Sequence, residues 1–217
     1  MKYRIFNNDC MEVMPTFPDN SVDFTLTDIP YNEVNRDSNG LRNLDKGGAD
    51  VLTFDLSQFL NEVYRITRNS ICIFCGKEQF STIYGFFAQK KGTVRPIVWQ
   101  KSNPSPMNGQ YIYLSGVEFG VWFKKSGAKV FNAHCKNSVF KYPNGSSKYH
   151  PTEKNHELLK DLISDNTNEN DLIFDPCMGS GSTGVVALEN GRNFVGIELD
   201  ENYYNITQSR LSQWQRV

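Results

Sequence analysis

The chain has 217 residues, of which 39% are hydrophobic, 22% charged and 13% aromatic, with a formal net charge of −1. That length supports one domain with a sizeable core, and a charge so near neutral excludes a global electrostatic case for nucleic-acid binding. No apolar run reaches the roughly eighteen residues of a helical membrane span, and Met1–Asn7 lacks the apolar stretch of a secretory leader, so the cytoplasm is the expected compartment.

Val22-Asp23-Phe24-Thr25-Leu26-Thr27 alternates with the period of a strand and runs into Asp28-Ile29-Pro30-Tyr31, which starts a loop at the strand's carboxyl end. Polar and glycine-rich residues fill Asn32 to Asp50 and offer little to bury. Asp55 suits an N-cap, and Leu56, Phe59, Leu60 and Val63 recur behind it with helical spacing. An apolar strand (Ile71–Cys75), an aromatic-rich helix (Glu78–Gln89) and two more strands (Ile97–Gln100 and Gly116–Phe123) follow.

Between Lys124 and Lys154 seven lysines stand against one acid, Glu153, with Phe131, Phe140, Tyr142 and Tyr149 interleaved. That mixture suits phosphate contact and base stacking; a solvated lysine-rich loop fits the same composition. Leu158, Leu159, Leu162 and Ile163 then make one helical face starting near Thr152. Leu172-Ile173-Phe174 is a short buried strand ending at Asp175-Pro176. A glycine-rich turn leads into a helix through Val185, Val186 and Leu188, closed by Gly191 in the left-handed conformation. Phe194–Ile197 is the next strand, ending at Glu198, and a last helix spans about Glu201 to Trp214. This alternation predicts an α/β fold with a mainly parallel sheet. Without repeats or a linker, 1–217 is expected to be a single domain.

Cysteines stand at 10, 72, 75, 135 and 177, mostly among apolar or small neighbours, as reduced thiols do. Cys72 and Cys75 have the spacing of a metal half-site, but they sit in a buried strand without a second such pair. Structural zinc needs four ligands, so no metal is expected.

Two units carry chemistry. In Phe174-Asp175-Pro176-Cys177-Met178-Gly179-Ser180-Gly181-Ser182-Thr183-Gly184, the glycines allow close backbone approach and the following helix offers unpaired N–H groups. Glu198, at the end of the next strand, is placed to accept from two ribose hydroxyls. Gly179, Gly181 and Gly184 also match GxGxxG, so a nicotinamide-dependent oxidoreductase is a rival. Against it, the Asp175 carboxylate would repel a pyrophosphate and suits a cationic ligand, and too little chain follows for a complete dinucleotide site. In the second unit, Asp28-Ile29-Pro30-Tyr31, a rigid proline lets a carboxylate and a backbone carbonyl converge beside a flat aromatic face. An amino group brought there could donate to Asp28 and to the Ile29 carbonyl.

Together these units resemble the amino-methylating DNA methyltransferases, in the subgroup whose target-amine motif precedes the cofactor motif. Asp28-Ile29-Pro30-Tyr31 resembles DPPY, and Asp175 to Thr183 resembles DPFxGSGTT. His150-Pro151-Thr152-Glu153-Lys154 is similar to HPTQK, and Asn8-Asp9-Cys10 with Pro18 to Asp23 is similar to the family's opening segment. The matches fall in the family's order from about residue 7 to 205. Two residues depart from the pattern: Ile29 replaces a proline, and Cys177 stands where phenylalanine is frequent.

The resemblance implies a Rossmann-like methyltransferase fold, with a mostly parallel twisted sheet, helices on both faces and a circularly permuted motif order. It implies transfer of a methyl group from S-adenosylmethionine to N6 of adenine in double-stranded DNA, as in restriction-modification systems, and it admits a homodimer. Cytosine-specific relatives usually carry serine where Asp28 stands; N4 of cytosine, or a catalytically silent DNA-binding subunit, are the alternatives. Asp28, Ile29, Pro30 and Tyr31 would handle the target amine. Asp9, beside Cys10, would bind the cofactor's adenine, although a helix cap explains an acid there equally well. Asp175 would hold the methionine ammonium, Thr152 and Lys154 its carboxylate region, and Glu198, beside Leu199, the ribose. Pro176, Cys177, Gly179, Ser180, Gly181, Ser182 and Thr183 would pack on the cofactor. Target recognition would fall to the short segment at about 124–149.

Overall fold

A computed structural model of the chain describes residues 2–31, 52–106, 109–144 and 154–214. Its first half contains β1 (Tyr3–Asn7), α1 (Cys10–Val13), β2 (Val22–Asp28), α2 (Leu56–Ile66), β3 (Thr67–Cys75) and α3 (Lys77–Ala88). The second contains β4 (Gly92–Lys101), β5 (Val117–Lys125), β6 (Val139–Tyr142), α4 (His156–Asn166), β7 (Leu172–Asp175), α5 (Ser182–Glu189), β8 (Asn193–Glu198) and α6 (Glu201–Leu211). The strands form one eight-stranded sheet in the order β1-β8-β7-β2-β3-β5-β4-β6. Only β5 runs antiparallel to its neighbours; the other pairs are parallel, as the alternation of strands and helices predicts.

The strand order explains where a ligand can sit. From β7 the chain passes through α5 to β8 on one side, and from β2 it passes through α2 to β3 on the other. Adjacent parallel strands whose connections leave in opposite directions open a crevice at their carboxyl ends. Asp175 ends β7 and Asp28 ends β2, so two motifs remote in the chain become neighbours there.

Alternation along the strands divides the core between the two sheet faces. Cys72 and Phe74 of β3 and Trp122 of β5 pack under α4 and α5, whereas Ile71, Ile73 and Cys75 pack under α2 and α3. Helices therefore cover both faces. Asp55 caps α2 by accepting from Gln58 N at 2.8 Å, and Gly191, φ +76°, follows α5 in the left-handed conformation.

Several boundaries differ from expectation. β1 and α1 escape the pattern reading because the Tyr3–Asn7 edge strand buries nothing fully and α1 is a single turn. α4 begins at His156, not near Thr152, because Asn155 is its cap and its side chain accepts from Glu157 N and Leu158 N. The last α-helix stops at Leu211 and ends in a 3-10 turn, Ser212–Trp214. The basic segment contains β6, a short edge strand whose alternating exposure leaves Lys141 outward. Among the described residues, no helix is long and apolar enough to cross a membrane.

Candidate active site

The Asp28–Tyr31 turn is held from three sides. Ile29 N donates to Phe74 O at 3.1 Å, and the Ile29 side chain is buried among the residues under α2 and α3. Packing thus anchors a position where a proline ring would otherwise supply rigidity. Gln79, near the start of α3, donates from Nε2 to Pro30 O at 2.9 Å while its Oε1 accepts from Gly76 N. The Tyr31 hydroxyl donates to Asp28 Oδ1 at 2.6 Å.

On the other carboxylate oxygen sits Lys154, its Nζ 2.5 Å from Asp28 Oδ2 and 2.8 Å from Glu118 Oε2. Glu118 also pairs through Oε1 with Lys101 at 2.7 Å. The Lys154 side chain is only 8% exposed, so a solvated surface lysine is ruled out. Its ammonium lies on Asp28, whereas the resemblance assigns it to the cofactor's carboxylate. Burial raises the Asp28 carboxyl above its ordinary value, with the Lys154 charge pulling the other way. For Glu118 burial also pushes upward, but the Lys154 and Lys101 ammoniums win and lower it. Desolvation disfavours the Lys154 charge, yet Asp28, Tyr31 and Glu118 together hold its pKa well above the usual value.

The second wall is the glycine turn after β7. Gly179 (φ +52°) and Gly181 (φ +80°) adopt the left-handed backbone that favours glycine. A Cβ at Gly181 would approach Thr207 Cγ2 to 2.6 Å, whereas one at Gly179 would meet nothing within 4 Å. Helix α6 fastens this turn: Thr207 Oγ1 donates to Gly179 O at 2.8 Å and Arg210 donates to Ser180 O at 2.7 Å. Glu198 accepts from Gly179 N at 2.8 Å and from Asp200 N at 2.9 Å, and burial raises its carboxyl. Asp175 is 3% exposed; burial pushes it up to about 7, opposed by Thr183 and by the Cys177 N–H, which donates to Oδ1 at 3.2 Å. Cys177 is pushed well up by a hydrogen bond with Cys10 and by burial.

Both walls enclose one cavity of about 590 Å³, within the size range of small-molecule sites. Asp28, Ile29, Pro30, Tyr31 and Lys154 line it on one side. Asp175, Pro176, Cys177, Gly179, Ser180, Ser182 and Thr183 line it on the other, and Asp9, Cys10, Glu198 and Leu199 complete the rim. Gly181 is not part of the lining; it lies behind it, against Thr207. Asp9 is both cap and wall, since Oδ1 accepts from Met11 N at 2.8 Å. The lining fits S-adenosylmethionine: a buried carboxylate with a raised pKa suits an ammonium, the open space at Gly179 lets a ligand reach backbone, and Glu198 is positioned at the rim. Thr152, His150, Pro151, Glu153 and the Asn32–Asp50 stretch lie outside the described residues.

The described part of the expected recognition segment is divided between the two ends of the sheet. Ser70, near the start of β3, pairs with Lys124, and Cys75 at its end pairs with Phe119, so β5 carries Lys124 and Lys125 away from the cavity. Asn132 and Lys136 bind the far end of α4, through Asp165 O and the Asp165 carboxylate. Of the described part of that segment, only β6 and the residues after it return to the cavity end. There the connection between β4 and β5 exposes Tyr111, Ile112 and Tyr113. Glu118, Gln79, Thr207 and Arg210 were not singled out from sequence. Of these, only Glu118 carries a signal, an acid inside the apolar strand Gly116–Phe123.

A model of a family described as DNA methylase (N6_N4_Mtase) matches residues 22–209. The protein YubD of Escherichia coli (strain K12) is 32% identical over 216 residues, covering 99% of this chain and 92% of that protein. The type II methyltransferase M.HinfI of Haemophilus influenzae is 26% identical over 245 residues, covering 96% of this chain and 68% of its own length. The crystal structure of the M1.HpyAVI–SAM complex superposes with a TM-score of 0.74 at 29% identity, covering 96% of this chain and 100% of that one.

Proposed function

The chain belongs to the N6/N4 DNA methylase family, and from that premise we propose that it methylates N6 of adenine in double-stranded DNA with S-adenosylmethionine. The observation that carries this reading is the single cavity in which the Asp28–Tyr31 turn faces the Asp175–Thr183 turn. Bound against the glycine turn, the cofactor supplies a methyl group already activated by a positively charged sulfur. Asp175 and Glu198 hold its polar ends.

The remaining difficulty is the target amine, whose lone pair is delocalised into the ring. A carboxylate has about four lone-pair directions; Tyr31 and Lys154 use two at Asp28, which leaves capacity for an amino hydrogen. The Ile29 carbonyl is proposed as the second acceptor. Donating to both would favour a pyramidal nitrogen and stabilise the positive charge that grows as the carbon–nitrogen bond forms and the methyl carbon–sulfur bond breaks to leave a neutral thioether, after which one N–H proton would pass to solvent. A preorganised group of this kind contributes about 3–4 kcal/mol. Because the amine is buried in a stacked duplex, the base must be turned out into the cavity, where the Tyr31 ring offers a flat surface. Adenine is favoured over cytosine by the acid at position 28.

Incubation with mixed-sequence duplex DNA and methyl-labelled S-adenosylmethionine, followed by digestion to nucleosides, tests the reading. Label in N6-methyladenosine is the expected result. Label in N4-methylcytosine would overturn the base assignment and keep the rest. DNA and cofactor binding without any label would identify a silent subunit.

A further inference from the structure

Asp28 belongs to a chain of four charged side chains from four separate segments: Asp28 at the end of β2, Lys154 ahead of α4, Glu118 on β5 and Lys101 at the end of β4. Strand parity puts the three strand residues on one sheet face. Asp28 shares its side with Phe24 and Leu26, Glu118 with Trp122, and Lys101 with Trp99, all of which pack on the α4 side. The two acids and two lysines balance in charge. Each Glu118 oxygen has its own ammonium, Oε1 with Lys101 and Oε2 with Lys154. Glu118 therefore competes with Asp28 for the Lys154 ammonium, and Lys101 moderates that competition.

We propose that Glu118 is a positioning residue for methyl transfer: shared with Lys101, it occupies part of the Lys154 ammonium, so that Lys154 holds Asp28 through Oδ2 and leaves the remaining lone pairs of that carboxylate to the target amine. This inference rests on the functional reading above. Without Glu118, the Lys154 N–H that it now engages would be free to turn onto Asp28, its remaining carboxylate partner, and compete with the incoming amino group. Without Lys101, the Glu118 charge would be less balanced and would attract Lys154 away from Asp28.

The two losses move Asp28 in opposite directions. Removing the Glu118 charge takes away a repulsion that raises the Asp28 pKa, so ionisation persists to lower pH. Removing the Lys101 charge strengthens the same repulsion. The other groups facing Asp28 are Tyr31 from its own turn, Asp175 from β7 and Cys75 from β3. Cys75 is pushed up to about 12 by burial and stays neutral. Asp175 keeps its charge partners in both variants, and Tyr31, raised well above its ordinary value by burial, stays neutral across the acid limb, so opposite shifts isolate the Glu118–Lys101 pair.

The test compares kcat against pH for the 217-residue chain, Glu118→Gln and Lys101→Met, at saturating DNA and cofactor, with cofactor Kd measured alongside. The expected result for Glu118→Gln is a loss in kcat of at least about tenfold with Kd held within about twofold, and an acid limb displaced to lower pH. Lys101→Met should hold kcat at its plateau within about threefold and displace the limb to higher pH. Unmoved limbs, limbs displaced in one direction, or a loss confined to cofactor Kd would each overturn the inference. Should thermal melting show that Glu118→Gln does not fold, Lys101→Met decides alone: an upward shift supports the inference and an unmoved limb sinks it. A wild-type chain that labels no nucleoside would overturn the functional reading itself, and the inference with it.

Discussion

At the amino ends of β2 and β3, Arg65 donates to Met14 O and Phe17 O and pairs with Asp19 and Glu62, while Arg68 pairs with Asp23. At the carboxyl ends of the same strands, Asp28 and Glu118 pair with Lys154 and Lys101. The residue types are alike, but the surroundings are not. Asp19, paired with Arg65, is 70% exposed and Arg68, paired with Asp23, is 56% exposed, so water screens those two pairs and they stitch loops to the sheet. Lys154 is 8% exposed, so its charge acts on its neighbours at low dielectric and changes what they can bind. Burial at a switch point, rather than the presence of charge, separates a site from a stitch.

The largest expected effect comes from the buried end. Asp28→Asn should lower kcat by roughly a hundredfold or more while leaving S-adenosylmethionine affinity unchanged by isothermal titration; retained turnover would remove Asp28 from the chemistry. Next, Lys154→Met leaves the partly buried Asp28 without its ammonium and Glu118 with Lys101 alone and should cost up to about 3–5 kcal/mol, a fall in Tm on the order of 10 °C, read by thermal unfolding. A change of only a degree or two would mean that the pocket is wetter than its burial implies.

A smaller effect depends on pH. Asp175 sits at about 7 in the free protein and must be ionised to pair with an ammonium. Cofactor binding should therefore weaken as pH falls below 7, approaching tenfold per pH unit, and Asp175→Asn should abolish that slope. A flat profile in the wild-type chain would separate Asp175 from the ammonium. Least of all, Arg68→Met at the exposed end should cost at most about 1 kcal/mol and leave transfer unaltered; a loss of activity there would break the contrast between the two ends.

Much of the fold is legible because its signals are local. The Asp55 cap, the Gly191 stop and the apolar strands at 22–28, 71–75 and 172–174 follow from spacing and turn chemistry. The weak elements are those whose stability comes from neighbours: β1 and β6 are edge strands, and β6 carries an outward lysine that disguises it as a basic loop. The lysines from 124 to 136 illustrate the same limit. Composition alone fits a nucleic-acid surface and a solvated loop equally, and the reversed direction of β5 takes Lys124 and Lys125 to the far end of the sheet.

For the site, the turns at Asp28 and Asp175 were already marked in the sequence, because proline restricts the backbone and glycine frees it at fixed offsets from a carboxylate and the motifs occur in one order along the chain. That Lys154 would lie on Asp28 was not, since it depends on strand order. β5 must enter the sheet antiparallel for Glu118 to reach the carboxyl end, and the start of α4 must descend over the same face. Local chemistry was thus written along the chain, whereas the partnership of Asp28, Glu118, Lys101 and Lys154 was decided by topology. Pairing energies between residues so distant in sequence exist only once the sheet has brought them together and excluded water.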